Sequence, residues 1–150
     1  MVDRAIRGAV TVTAGAAVAL TGTFMPWLRS GSRDRSSYTI FDLVERLGFA
    51  PSGVVAWSLR LWPLVPLLLV ATTIASWAAA TGHVRVRVAA GAAALAACWV
   101  GGTATALVFA PEAGLFRIGS GPGVCLSGVA VIVLGVVWLR PRGSAASGAS

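Results

Sequence analysis

Three observations on this 150-residue chain predict an all-α membrane protein: a bundle of four transmembrane helices with a short amphipathic helix in the first extracytoplasmic loop. First, 57% of the residues are hydrophobic and 11% charged, with a mean hydropathy of +0.83. That is too apolar for a soluble domain of this size. Second, four stretches, 5–27, 59–80, 88–110 and 121–139, can each cross about 30 Å of hydrocarbon as a helix of about 20 residues. Third, glycine recurs every seven residues in the first and last of them, at Gly8, Gly15 and Gly22 and at Gly121, Gly128 and Gly135. Seven residues is close to two helical turns, so each trio lines one helix face and lets a neighbouring backbone approach within the bilayer. Residues 1–140 then form one domain.

The first span opens with Asp3, Arg4 and Arg7 before a long apolar run. Ala14–Ala16 or Ala17–Ala19 resembles a small-residue cleavage site, but the run continues to Trp27, longer than a usual signal core, so an uncleaved anchor is expected. The loop 28–58 follows and is the only sizeable extramembrane part. Its residues 29–37 are polar and expected to be irregular. Thr39 and Asp42 then offer a capping box, with Ile40, Leu43, Val44 and Leu47 at helical spacing and Gly48 as a stop. An amphipathic helix lying on the membrane or on the bundle is expected there. Its Asp42 and Glu45 read as a solvated face, since neither a histidine nor a nucleophile accompanies them.

Pro63 and Pro66 fall in the first turns of the bulkier second span, and 81–87 makes a tight turn to the third. His83 in that turn, the only histidine, reads as an interfacial side chain. Gly91, Ala94, Cys98, Gly102 and Thr105 give the third span a small face of its own. Cys98 and Cys125 form no C-x-x-C pair and read as two buried small side chains without a disulfide. The threonines and Ser76 in the middle spans are expected to bond back to their own helices. The glycine-rich run 119–123 superficially resembles a phosphate cradle, but with no strand expected before it and no lysine after, it reads as a helix entry. Ser120 would cap that helix and Pro122 fits its first turn. The tail 141–150 is small and polar and expected to be disordered.

All twelve basic residues are arginine, against five acids, for a net charge of +7. They lie between and beyond the spans, as membrane topology requires, and no nucleic-acid motif accompanies them, so no nucleic-acid partner is expected. Arg4 with Arg7, Arg85 with Arg87, and Arg140 with Arg142 would share one side, which places both termini in the cytoplasm of a multi-pass plasma-membrane protein. Against this, six arginines fall on each side. With the first helix running outward and the fourth inward, Gly22 meets the depth of Gly121, Gly15 that of Gly128, and Gly8 that of Gly135. Antiparallel close packing of these two helices is therefore expected.

The aromatics Phe24, Trp27, Trp57, Trp62, Phe109 and Phe116 at one surface, and Trp77 and Trp138 at the other, read as an interfacial belt. Trp99 is different: near the bilayer centre its indole N–H needs an acceptor or a polar pocket. Trp27, Arg29, Arg60 and Trp62 make a candidate contact for an anionic lipid headgroup, weighed against the preferred reading of snorkelling arginines beside anchoring tryptophans. No acid lies within any span, which disfavours a proton-coupled exporter that relies on a membrane glutamate. No nucleophile–base pair or metal-ligand set is present in the sequence pattern, so no cofactor and no enzyme activity is expected.

The segments Phe24–Gly31 (FMPWLRSG), Arg35–Leu43 (RSSYTIFDL) and the Gly121-Pro-Gly123 entry into a glycine-punctuated helix resemble those of small four-transmembrane actinobacterial membrane proteins of unknown function. Arginine without lysine, beside abundant alanine, glycine and valine, agrees with a GC-rich genome of that kind. The resemblance implies four spans and an actinobacterial plasma membrane, and carries over no catalytic or binding residue. The expected role is a non-enzymatic accessory or scaffolding subunit of an envelope or transport complex, with lipid bilayer and a membrane protein partner or a homo-oligomer around it. The competing expectation is a small transporter or lipid-handling protein built around Trp99 or the Arg60 and Trp62 cluster.

Overall fold

The computed structural model describes residues 2–30, 33–46, 57, 60–108 and 117–139. Among these, four helices are long and apolar enough to cross a membrane: Asp3–Phe24, Trp62–Ala80, Val86–Thr105 and Gly121–Leu139. This is the makeup of a multi-pass membrane protein. The expected Leu47 and Gly48 helix end, the aromatics Phe109 and Phe116, Arg140 and Arg142, and the tail 141–150 lie outside the described residues.

Helix α1 (Val2–Phe24) ends three residues before the span expected from hydropathy. Pro26 is the reason: it has no N–H to continue the ladder, and its ring disfavours helical geometry at Met25. Met25 N–H makes the last bond, to Thr21 C=O at 3.2 Å. The chain then enters a hairpin of β1 (Pro26–Ser30) and β2 (Arg33–Ser36), where an irregular segment was expected. A third strand, β3 (Arg117–Ile118), pairs antiparallel on the other side of β1, giving the order β2-β1-β3. The glycine-rich helix entry is therefore preceded by a strand, against the expectation.

Helix α2 (Ser37–Arg46) starts two residues earlier than Thr39, the expected cap. Ser36 precedes its first turn, and the Ser36 and Thr39 hydroxyls lie 3.2 Å apart. Buried Ser37 and Ile40 turn this helix onto the end of the bundle. A short 3₁₀ turn (Trp62–Leu64) with Pro63 leads into α3 (Val65–Ala80). Helix α3 closes in a Schellman motif: His83 N–H bonds Ala78 C=O at 2.8 Å and Gly82 N–H bonds Ala79 C=O at 3.2 Å. Gly82 has φ +82°, the left-handed conformation this motif requires. His83 Nδ1 lies 2.9 Å from the Thr81 hydroxyl on the exposed turn. The next helix runs through α4 (Val86–Ala96), a π-turn (Ala97–Gly101) and α5 (Gly102–Val108). Helix α6 (Gly121–Leu139) completes the bundle, with Val124 N–H bonded to Ser120 C=O at 3.1 Å and Pro122 in its first turn.

Helix α1 packs most extensively on α6 and also against α3, while α4 with its π-turn packs against α3 and α6. In the hydroxyl-bearing middle helices, Thr72, Thr73, Ser76, Thr103 and Thr105 all bond back to carbonyls four residues earlier, at 2.7–3.0 Å. The contact between α3 and α1 instead carries an indole donor, Trp77 Nε1–H to Thr13 Oγ1 at 3.0 Å.

Candidate functional site

The glycine trios face each other across α1 and α6. A β-carbon at Gly8 would lie 3.0 Å from Gly135 carbonyl oxygen, and one at Gly15 would lie 2.7 Å from Ile132 nitrogen and 2.8 Å from Gly128 oxygen. One at Gly22 would lie 2.6 Å from Cys125 nitrogen, and one at Gly121 3.0 Å from Gly22 oxygen. At every level the obstacle includes main chain, so no side-chain rotation could make room. Ala19 is buried in the seam, and the Cys125 thiol donates to its carbonyl at 3.3 Å. Thr11 and Ser127 contribute only bonds to their own helices.

A buried polar chain ties the loop end of the bundle together. The last carbonyls of α1 have no helical partner. Trp27 folds back and donates its indole N–H to Gly22 C=O at 2.8 Å, while the Ser37 hydroxyl donates to Thr23 C=O at 2.7 Å. Trp62 Nε1–H then donates to Ser37 Oγ at 3.0 Å. The two indoles also meet edge to face, with ring centroids 5.3 Å apart and planes at 79°. Trp27 and Trp62 are fully buried, so neither offers a face to a lipid headgroup, and the candidate headgroup set is corrected to that extent. They are hydrogen-bonded closures of the bundle. The belt reading fits other residues: Phe24, Trp57, Trp77 and Trp138 are exposed. Phe24 stacks on Tyr38, with centroids 5.2 Å apart.

Trp27 reaches its place through the β1–β2 ladder, whose register shifts between Pro26 and Leu28. The bulge lets Trp27 and Leu28 both turn towards the core, which strict alternation would forbid. Gly119 is needed opposite: its N–H bonds Trp27 C=O at 2.9 Å, and a β-carbon there would collide with the Pro26 carbonyl.

The arginine members of the set separate. Arg29 is exposed on the sheet and holds Asp34 through two bonds, Nε–H to Oδ1 at 2.6 Å and Nη2–H to Oδ2 at 3.1 Å. These bonds push the Arg29 guanidinium above its ordinary range and hold the Asp34 carboxyl below its own. Arg60 is exposed before the 3₁₀ turn. Asp42 pairs with Arg46 one helical turn on, at 3.0 Å, on the exposed side of α2.

The expected small face of the third span lies on the outside. Gly91, Ala94, Cys98, Gly102 and Thr105 are exposed, and a β-carbon at Gly91 or Gly102 would meet nothing within 4 Å. The packed face is formed by Ala89, Ala93, Ala96, Val100 and Ala104 instead. Cys98 is thus corrected from buried to exposed, while Cys125 is buried. Trp99 is partly buried at the π-turn, and its buried Nε1 has no hydrogen-bond partner among the described residues. An apolar groove of about 210 Å³ between α1 and α3, lined by Thr13, Ala16, Ala17, Leu20, Leu69 and neighbours, lies away from Trp99. Among the described residues, no three of His, Cys, Asp and Glu are gathered as a metal site would need. Comparison with protein-family models, with curated proteins and with solved structures finds no match for this chain.

Proposed function

We propose that this chain is a non-enzymatic accessory or scaffolding subunit of a larger envelope or transport complex, in the plasma membrane, with both termini in the cytoplasm. The observation that supports it is the face of Gly91, Ala94, Cys98, Gly102 and Thr105, which is exposed along the length of a membrane helix and carries no bulky side chain. Lipid tails gain little from such a face, whereas another helix can approach it closely and gain packing and Cα–H···O contacts.

Affinity purification from native membranes in a mild detergent tests it. A stoichiometric second protein, lost when Gly91 and Gly102 are both replaced by leucine, is the expected result. Recovery of the chain alone, or of a homo-oligomer with co-purified lipid, would overturn the reading. The second reading, a small transporter or lipid-handling protein, is favoured by Trp99, whose buried Nε1 lacks a partner among the described residues and lies within a π-turn, a backbone irregularity frequent at functional sites.

A further inference from the structure

We propose, on the reading that these helices cross a membrane, that the end of the bundle at which α1 begins gathers acidic phospholipids, held by Arg4 and Arg7 on one helix and by Arg85 and Arg87 at the start of another. Charge is the first argument. Of the five acids in the chain, only Asp3 lies at this end, while Asp34, Asp42, Glu45 and Glu112 fall in the connections at the other. None of the four arginines holds an ion pair with a described residue, and the pairs that the described residues do form, Arg29 with Asp34 and Arg46 with Asp42, stand at the opposite end. Their charge is therefore open to a partner from outside the chain.

Level is the second argument. The bond from the Trp77 indole to Thr13 Oγ1 sets α1 and α3 in antiparallel register. Arg7 lies about 9 Å beyond Thr13, and Thr81 about 6 Å beyond Trp77, towards the same end. The turn after Thr81 delivers the chain into α4 at Arg85, so both pairs of arginines stand on one rim. Helix α1 packs on α6 and α3, and α4 packs on the same two helices, so the pairs occupy different sectors of that rim. This placement suits a collar of several lipids and not one enclosed ligand.

The surroundings choose lipid over an acidic protein. Arg4 and Arg7 fall within the first two turns of one apolar span, and Arg87 is the second residue of another. Arg7 and Arg87 are exposed, and so are the apolar Ile6, Val10 and Val88 beside them. A guanidinium whose stem lies among such side chains reaches the phosphates of the leaflet directly. A zwitterionic headgroup carries a cation of its own, so an acidic one gains more from each arginine, about fivefold in affinity at a negatively charged surface.

Electron spin resonance of the full chain in phosphatidylcholine vesicles tests the proposal, with spin-labelled phosphatidylglycerol and spin-labelled phosphatidylcholine as probes. Lipid in contact with the protein gives a motionally restricted component, whose size for the two labels yields their relative affinity. The expected result is a preference for phosphatidylglycerol of about twofold or more, averaged over the lipid shell, that declines as salt screens the arginines. Arg4→Gln with Arg7→Gln, and separately Arg85→Gln with Arg87→Gln, should each remove part of it with helix content unchanged. Lysine at the same four positions should retain it, and Arg33→Gln with Arg35→Gln, at the sheet end, should remove less. Equal affinity for the two labels, or a preference that survives both pairs of glutamine substitutions, would overturn the proposal while leaving the membrane reading in place. No restricted component with either label would overturn both.

Discussion

Ser37 bridges two buried groups, accepting from the Trp62 indole N–H and donating to the Thr23 carbonyl. Replacing it with alanine removes both bonds at once, and an unsatisfied buried group costs about 1–3 kcal/mol. Ser37→Ala should therefore lower stability by at least that range, read from unfolding in detergent. Ser127→Ala, which removes an exposed bond within α6, should change stability by less than about 0.5 kcal/mol. Equal losses in the two variants would dissolve the argument. Arg29 and Asp34 make a different case, because both are exposed and their pair is screened by solvent. The Asp34 carboxyl is held below its ordinary value of 3.8, chiefly by the hydrogen bonds from Arg29. A depressed folded value means that the pair's contribution is fully present above the unfolded value and is lost as pH falls through the folded one. An NMR titration of the Asp34 carboxyl should accordingly show a midpoint under 3.8 that moves upward in Arg29→Gln. A midpoint indifferent to that substitution would show that the pair does not persist in solution.

At the scale of elements, the α1–α6 seam and the outer face of α4–α5 make opposite demands on glycine. A methyl at Gly15 meets main-chain atoms of Gly128 and Ile132, so Gly15→Ala must push the helices apart. Overpacking of this kind costs about 1–3 kcal/mol. At Gly91 a methyl meets nothing within 4 Å, and alanine restores about 0.5–1 kcal/mol of helix propensity. The prediction is a lower melting temperature for Gly15→Ala and an equal or higher one for Gly91→Ala. The same pair of faces explains what could be read from sequence. The seam was legible because its glycines repeat at a helical period in two segments and leave only one antiparallel depth match. The packed side of the third span was not. Ala89, Ala93, Ala96, Val100 and Ala104 are small residues at helical spacing, just as Gly91, Ala94, Cys98, Gly102 and Thr105 are, so periodicity could not tell inside from outside. The sheet was illegible for another reason. Its strands are short and arginine-rich, and β1 finds β3 only through a contact between residues 28–29 and 117–118 that no local pattern encodes. Trp27 and Trp62 read as belt residues because their sequence positions suit an interface. Their burial depends on that sheet and on Ser37 arriving beneath them.

For the whole molecule, we propose that all four apolar helices cross the membrane, which puts the start of α1 and the end of α6 in one compartment and the sheet with α2 in the other. Arginine numbers alone do not choose the compartment, since six fall on each side. Loop length bears on the choice, since short loops carry the orienting charges and neighbouring acids count for little. On the side of the termini, Arg85 and Arg87 stand exposed where a turn of a few residues enters α4, the short-loop position in which positive charge governs insertion. The termini should therefore be cytoplasmic and the sheet outside. A fluorescent protein fused to the C-terminus should fold and fluoresce, whereas alkaline phosphatase at the same point should be inactive. Arg33→Cys, in the exposed start of β2, should react with a membrane-impermeant maleimide added to intact cells. The native thiols supply the control, because Cys98 lies midway along an apolar span and Cys125 is buried in the seam, and neither should be labelled. Active phosphatase at the C-terminus, with Arg33→Cys labelled only after the cells are opened, would invert the topology.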